Sequence, residues 1–397
     1  MSPLEGKSIL MIVENLPVPF DRRVWQEALA LKNAGAYVRI ICPKMKGFNA
    51  SYEELEGIQI YRHPLPIEAS GAIGYLLEYF IALFWEFLLS VKLFIKKRFH
   101  VIHGCNPPDL IFLVALPFKL FGVKYVFDHH DINPELFEVK FNKRGMLYKS
   151  VLLLEKFTFR VANYSIATNE SFKKIAVERT GMPEDRIAVV RSAPPADRFT
   201  VMEGKAEYKK GKAFLVGYIG IIGEQDGLDI LIRTIRILKD RKIDVHFAII
   251  GGGTELEAIK ELAKQLEIED SVDFYGIIFD DHEINEILNS CDICVNPDVP
   301  SEYNNLITTN KVMEYMSLKK AMVQFKLKEA EYSAQKASLY ANFENLEDFA
   351  DKIAYLLENE SIRNEMAEEG HTRFKNHLSW EIEKKKLVEF YTKILVP

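Results

Sequence analysis

Cysteine is scarce, with four residues in a chain of 397, too few for a disulfide framework. An excess of basic charge is missing as well. Lys plus Arg number 51 against 57 Asp plus Glu, a net charge of −6, which argues against a protein that coats nucleic acid. The opening MSPLEGKSILMIVE lacks a basic start, a long apolar core and a small-residue cleavage site. No signal peptide is read there, and a cytoplasmic location is expected. Repeats of roughly 20–50 residues and low-complexity tracts are also missing, which excludes a solenoid. What remains is 48% hydrophobic and 12% aromatic, enough to fill real cores, at a length that suits two domains.

Short β-rich apolar runs alternate with segments of helical period, the pattern of a parallel sheet covered by helices. Strands are expected near 8–13, 37–42, 58–62, 100–105, 125–129, 164–168 and 186–190. Helices are expected at 21–34 and at 107–121, the latter opening on Pro107-Pro108. After a polar, lysine-rich stretch at 193–212 the alternation restarts, with strands near 214–219, 244–250, 271–275, 292–296 and 321–325. The fold class expected is α/β, with two doubly wound Rossmann-like domains facing a central cleft. The domains are placed at 1–196 and 197–378, with an amphipathic final helix at 379–397 crossing back to the first.

No long hydrophobic run is free of charge. The most apolar, 72–95, is interrupted by Glu78, Glu86 and Lys92, which fall within about 120° of one helix face. An amphipathic helix fits better than a span, and Lys96, Lys97 and Arg98 follow it. That suits contact with an anionic membrane surface over 72–98; the alternative is a domain helix packed on the sheet with one wet edge.

Chemistry is sought first at glycine turns between strand and helix. FLVGYIGIIGEQDG carries Gly217, Gly220 and Gly223, with Asp226 or Gly227 opening a helix; AIIGGGTELE carries Gly251, Gly252 and Gly253, with Thr254 as a helix N-cap. Neither gives the dinucleotide fingerprint with its acid, so a nicotinamide site is disfavoured. Cys291 and Cys294 have metal-pair spacing but no second pair and no nearby His, so core burial is expected. His129, His130 and Asp131 follow a strand end, where ligands bind in such sheets. The stretch from Glu302 to Glu314 joins a polar loop to a helix at 310–320.

The segments PVPFDRRVWQEALAL, NPPDL, VFDHHDINPELF, VVRSAPPADRF, GYIGIIGEQDGLDILI, GGGTELE and CDICVNPDVPSEYNNLITTNKVMEYM come in an order that resembles glycosyltransferase family 4. These are retaining nucleotide-sugar transferases of the GT-B fold, and the likeness is to the surface-polysaccharide branch. The resemblance implies that the second domain holds a nucleotide diphosphate-sugar and the first presents the acceptor. Carried onto this chain, Glu314 takes the place of the ribose-binding glutamate and His130 that of the histidine approaching the donor sugar. Gly220 and Gly223 take the diphosphate turn, with Gly251, Gly252, Gly253 and Glu302 also on the donor side. Asp21, Arg22 and Glu135 face the acceptor. His130, Asp131 and Lys311 are the residues assigned to catalysis.

The chain departs from the family pattern in places. The first motif glutamate, eight residues before Glu314, is here Leu306, and Glu302 stands twelve before. The usual arginine and lysine of the diphosphate turn are Ile221 and Asp226, so Lys311, Arg191 or Lys319 would have to bring positive charge to the leaving group.

The expected function is therefore a retaining transfer from a nucleotide sugar to a lipid-linked or oligosaccharide acceptor, at the inner face of the cytoplasmic membrane. No cofactor, no metal and no nucleic acid are implied. Two alternatives stand beside it, a catalytically degenerate scaffold and a sugar-nucleotide epimerase of the same architecture.

Overall fold

The computed structural model describes residues 2–65, 71–141, 144–195 and 198–396. The chain divides into two compact units, Met1–Arg191 with Glu383–Pro397, and Ser192–Ile382. The boundary expected between 196 and 197 falls outside the described residues.

Among the described residues, the first unit carries eight strands: β1 (Ser8–Val13), β2 (Tyr37–Pro43), β3 (Tyr52–Leu55), β4 (Ile58–His63), β5 (Val101–Cys105), β6 (Lys124–His129), β7 (Tyr164–Ala167) and β8 (Ile187–Val189). They lie in the order β3-β4-β2-β1-β5-β6-β7-β8, parallel except for the β3–β4 hairpin. Strand β1, SILMIV, is buried at all six positions, as an interior strand of a parallel sheet must be. Strand β3, YEEL, was not expected. It is a half-exposed edge with two glutamates and no apolar run to mark it.

The second unit carries β9 (Phe214–Ile219), β10 (Val245–Ile250), β11 (Val272–Gly276), β12 (Ile293–Asn296), β13 (Met322–Phe325) and β14 (Ser338–Ala341). This sheet is wholly parallel, in the order β11-β10-β9-β12-β13-β14. Strand order reverses between β1 and β5 in the first unit and between β9 and β12 in the second. Ligands of open α/β sheets bind beyond the carboxyl ends of strands at such reversals.

Three helix expectations are corrected. The helix placed at 107–121 spans Phe112–Lys119. The Asn106 side chain explains the delay. It donates to Asp109 Oδ1 (2.9 Å) and the Asp131 carbonyl (2.7 Å) and accepts from the amides of His130 (2.6 Å) and Asp131 (3.1 Å). This ties the start of the segment into a loop. Thr254 is not an N-cap: the helix is Leu256–Gln265, and the preceding Glu255 amide donates to the Ile222 carbonyl at 3.1 Å.

The third correction concerns the helix Gly71–Lys96, which packs on β2, β4 and the helix Phe112–Lys119. Glu86 does not lie on a wet face. It is fully buried, with its carboxyl 3.9 Å from His63 and pushed up to about 8 by burial and by Glu14. The outward side is apolar instead, with Phe80 69% exposed, Ile95 80% exposed, and Phe84, Trp85 and Leu88 exposed between them. Among the described residues no helix is long and apolar enough to cross a membrane.

Candidate active site

In the second unit the reversal point is built from two glycine turns locked to each other. The Gly220 amide donates to the Ile250 carbonyl (3.0 Å), and the Ile222 amide to the Gly252 carbonyl (3.0 Å). Gly251, at φ +143°, lies so close that a Cβ would sit 1.8 Å from the Gly220 carbonyl oxygen. Gly227, at φ +64°, likewise leaves room for the Pro297 carbonyl past the end of β12, 2.1 Å from a Cβ. These two positions accept only glycine. Gly253 completes the second turn beside Ile222.

Lys311, on the helix Asn310–Ser317, enters the same place. Its ammonium donates to Asp298 Oδ1 at 2.6 Å, lies 3.5 Å from Asp226 Oδ1, and reaches the Tyr218 hydroxyl at 3.4 Å. Burial alone would lower its pKa, but Asp298, Tyr218 and Asp226 outweigh that and hold it charged. Burial raises the Asp226 carboxyl, against Lys311. Asp226 also accepts from the Gly223 amide at 3.2 Å through Oδ2. The lysine therefore faces two carboxyl groups of its own unit, and one turn amide already has an acceptor. Lys319 pairs with Glu368 at 2.6 Å, and Arg191 is buried in the first unit.

Glu314 sits one turn further along the Lys311 helix and is buried. Its Oε1 accepts from Arg198 Nη1 at 3.2 Å, and Arg198 Nε donates to Asp281 Oδ1 at 3.1 Å. Glu302 opens the short helix Glu302–Leu306 and is exposed. Leu306 closes that helix, at the position where the family pattern has an acid. Cys291 and Cys294 are free thiols in the core.

In the first unit the histidines after β6 diverge. His129 is buried among Phe127, Phe159 and Phe172, and burial together with Arg179 pushes its pKa down to about 3. His130 keeps one edge open, its side chain 14% exposed, and its Nε2 lies 2.5 Å from Asp128 Oδ2. The acid beneath that ring is thus Asp128, two residues earlier. Asp131, assigned with His130 to catalysis, is held through its backbone by Asn106.

Asp21 is the N-cap of the helix Arg22–Asn33, accepting from the Val24 amide at 3.1 Å. Arg22 is exposed. Glu135, on the helix Asn133–Phe141, is buried and paired with Arg179, which also binds Glu155 at 3.1 Å. It is part of a buried ion cluster.

Arg23, His103, Asp128, Asp298, Arg198 and Tyr391 were not singled out from the sequence. Asp128 lies inside the quoted VFDHH and was legible as a strand-end acid. His103 and Tyr391 are 288 residues apart, and nothing local connects them.

Two family models match. Residues 21–193 match a glycosyl transferase 4-like domain and residues 213–359 match glycosyl transferases group 1. The chain belongs to the glycosyltransferase 4-like proteins, and it is an enzyme of the glycosyltransferase class with the GT-B fold. No curated protein matches it in sequence.

Among solved structures it is similar to sucrose-phosphate synthase from Thermosynechococcus elongatus (TM-score 0.78, 16% identity, 98% of this chain and 99% of that one). It is similar to a glycosyltransferase from Rickettsia africae (TM-score 0.70, 16% identity, 98% and 99%). Anabaena HepE, solved with UDP and glucose, is a third (TM-score 0.72, 14% identity, 98% and 100%). At these identities the likeness is one of fold.

Proposed function

We propose that the protein is a retaining transferase that moves a sugar from a nucleotide diphosphate-sugar to a lipid-linked saccharide in surface-polysaccharide synthesis. The donor belongs to the second unit. The observation that carries this is the place of the interlocked glycine turns at the β9/β12 reversal. On this reading Gly220 and Gly223 line the diphosphate and Glu314 accepts from the ribose hydroxyls. The UDP held by HepE supports a uridine donor. The role of His130 as the donor-sugar histidine rests on the resemblance to family 4, and its open edge at the carboxyl end of β6 supports it. Helix amides and side chains stabilise the leaving diphosphate, with no cofactor. The retaining outcome rests on the resemblance to family 4.

The outer face of Gly71–Lys96 supports a peripheral place on an anionic membrane. Phe80, Phe84, Trp85, Leu88 and Ile95 are exposed, and Phe94 joins them to exposed Phe121 at 5.6 Å between ring centroids. Lys92, Lys96 and Arg98 flank that face. Apolar side chains with adjacent bases suit insertion at a charged leaflet.

The test is release of UDP from UDP-glucose, UDP-galactose and UDP-N-acetylglucosamine, with and without lipid-linked saccharide extracts. The anomeric configuration of the product is read by NMR. Acceptor-dependent release with an unchanged anomer supports the proposal. Binding of none of these nucleotide sugars, or an inverted product, overturns it.

A further inference from the structure

A line of four side chains runs through the first unit from its last helix to the open edge of His130. The Tyr391 hydroxyl, on the helix Trp380–Leu395, lies 2.6 Å from His103 Nδ1. His103 Nε2 lies 3.1 Å from Asp128 Oδ2, and His130 Nε2 reaches the same oxygen at 2.5 Å. The other carboxylate oxygen, Oδ1, accepts from Arg23 Nη2 at 3.0 Å, while Arg23 Nη1 donates to the Val190 carbonyl at 3.0 Å. Asp128, His103 and Tyr391 are wholly buried.

Donor counting allows one arrangement of protons with neutral rings. Burial raises Asp128, but Arg23, His130 and His103 together hold it well below the usual carboxylate range, so it is ionised and only accepts. Both Nε2 atoms that meet it must then carry hydrogen. Burial keeps His103 neutral, so its Nδ1 is an acceptor, and the phenol of Tyr391 donates to it. Glu27 lies 2.9 Å from Arg23 and 3.4 Å from His103, and burial holds its pKa well above the ordinary value.

We propose that Asp128, His103 and Tyr391 are positioning residues that hold the His130 imidazole as its Nε2–H tautomer, leaving Nδ1 as the atom that accepts from substrate. The C-terminal helix thereby sets the form in which His130 meets the sugar. This rests on the reading of His130 as a donor-sugar residue. A carboxylate held on one oxygen by Arg23 and on the other by His103 as well is fixed facing the His130 ring. An amide in place of Asp128 would present N–H groups as readily as an oxygen, and the ring could take the opposite tautomer.

The primary test needs no ligand. In protein labelled with nitrogen-15 at histidine, long-range proton–nitrogen NMR distinguishes the tautomers, with His130→Gln and His103→Gln assigning the two rings. Expected in the wild type are Nε2–H signatures for both rings in their neutral form. Asp128→Asn should move His130 to a mixed or Nδ1–H state, while Tyr391→Phe should leave His103 as Nε2–H, because Asp128 still accepts from it, and act only through the fit of the His103–Asp128 contact. UDP release from the three UDP-sugars supplies the second readout. Asp128→Asn should lower kcat more than about tenfold with donor KM changed less than about threefold, the pattern of a loss confined to the transition state. Tyr391→Phe should lower kcat about two- to fivefold and shift the acid limb of the pH–rate profile, which reports the cluster of Arg23, Glu27, His103, Asp128, Cys105 and Asp21 around the ring.

An unchanged His130 tautomer in Asp128→Asn would overturn the proposal, as would an Asp128→Asn enzyme within twofold of wild type. Should Asp128→Asn fail to fold, the wild type decides, since a mixed or Nδ1–H His130 there overturns the proposal. Full activity of His130→Ala would overturn the underlying reading of His130, while the NMR result would still report on the hydrogen-bonded line.

Discussion

Arg198 Nη1 donates to Glu314 Oε1 at 3.2 Å, so the carboxylate assigned to the ribose is already oriented by a cation from the segment that enters the second unit. Glu314→Ala should weaken UDP binding by about 1.5–3 kcal/mol, the range for a hydrogen bond to a charged group. Arg198→Met should cost less, because it removes an orienting partner and spares the ligand contact. Calorimetry with UDP separates them; an equal loss in both would place the contact on Arg198 itself.

Lys311 is a buried structural cation before it is anything else. Lys311→Ala leaves Asp298 and Asp226 without their partner, and the expected destabilisation is about 3–5 kcal/mol. The double variant Lys311→Ala with Asp298→Ala should recover part of that. Urea unfolding measures both, and a single variant as stable as wild type would show that the acids simply protonate.

Stability should fall as pH rises from neutrality, through two buried acids in the first unit. Glu14 and Glu86 are each pushed up to about 8, Glu14 by burial and by Glu78, Glu86 by burial and by Glu14. In the unfolded chain they ionise near the ordinary carboxylate value, so between there and about 8 the folded state binds more protons. The stability they lend is full below the unfolded pKa and is lost as pH climbs through the folded one. His63, pushed down to about 4 by burial, acts in the opposite sense below its ordinary value, so pH 6.5–8.5 isolates the acids. Glu86→Gln should flatten the slope in that window and be the more stable protein at pH 8.5. Thermal melts across the series check it, and parallel slopes would refute it.

Membrane contact should depend on the apolar face and on selected bases. The Lys97 ammonium lies 3.8 Å from the Tyr37 ring centroid, so Lys97 is a poor choice. Lys92→Glu with Lys96→Glu should release the protein from anionic vesicles, each base near the surface contributing about 1 kcal/mol. Phe80→Ser with Phe84→Ser should do so even at low salt. Flotation with phosphatidylglycerol vesicles reads both; wild type that never floats would end the idea.

Most of the architecture was legible along the chain, because it is written in local terms. A buried parallel strand needs a largely apolar run; β1 and β9 carry one, and β2 and β10 are broken only by Arg39 and His246. The two strands that escaped, YEEL and SLYA, are short edges whose pairing comes from a neighbour. The glycine turns were legible too, although their reason was not: Gly251 is there to admit the Gly220 carbonyl from another loop.

Partnership was decided by tertiary structure alone. Chain order places Asp131 beside His130, yet the loop tied by Asn106 turns the ring onto Asp128. A helical wheel puts Glu86 on a polar face, yet the packed helix buries it with Glu14 and His63. Tyr391 comes to His103 from the other end of the chain. Hydrophobic periodicity specifies which side of an element is apolar and where the element ends. The partner of a buried polar atom is chosen by whichever group the packed fold brings within three ångströms, and that distance has no counterpart in sequence spacing.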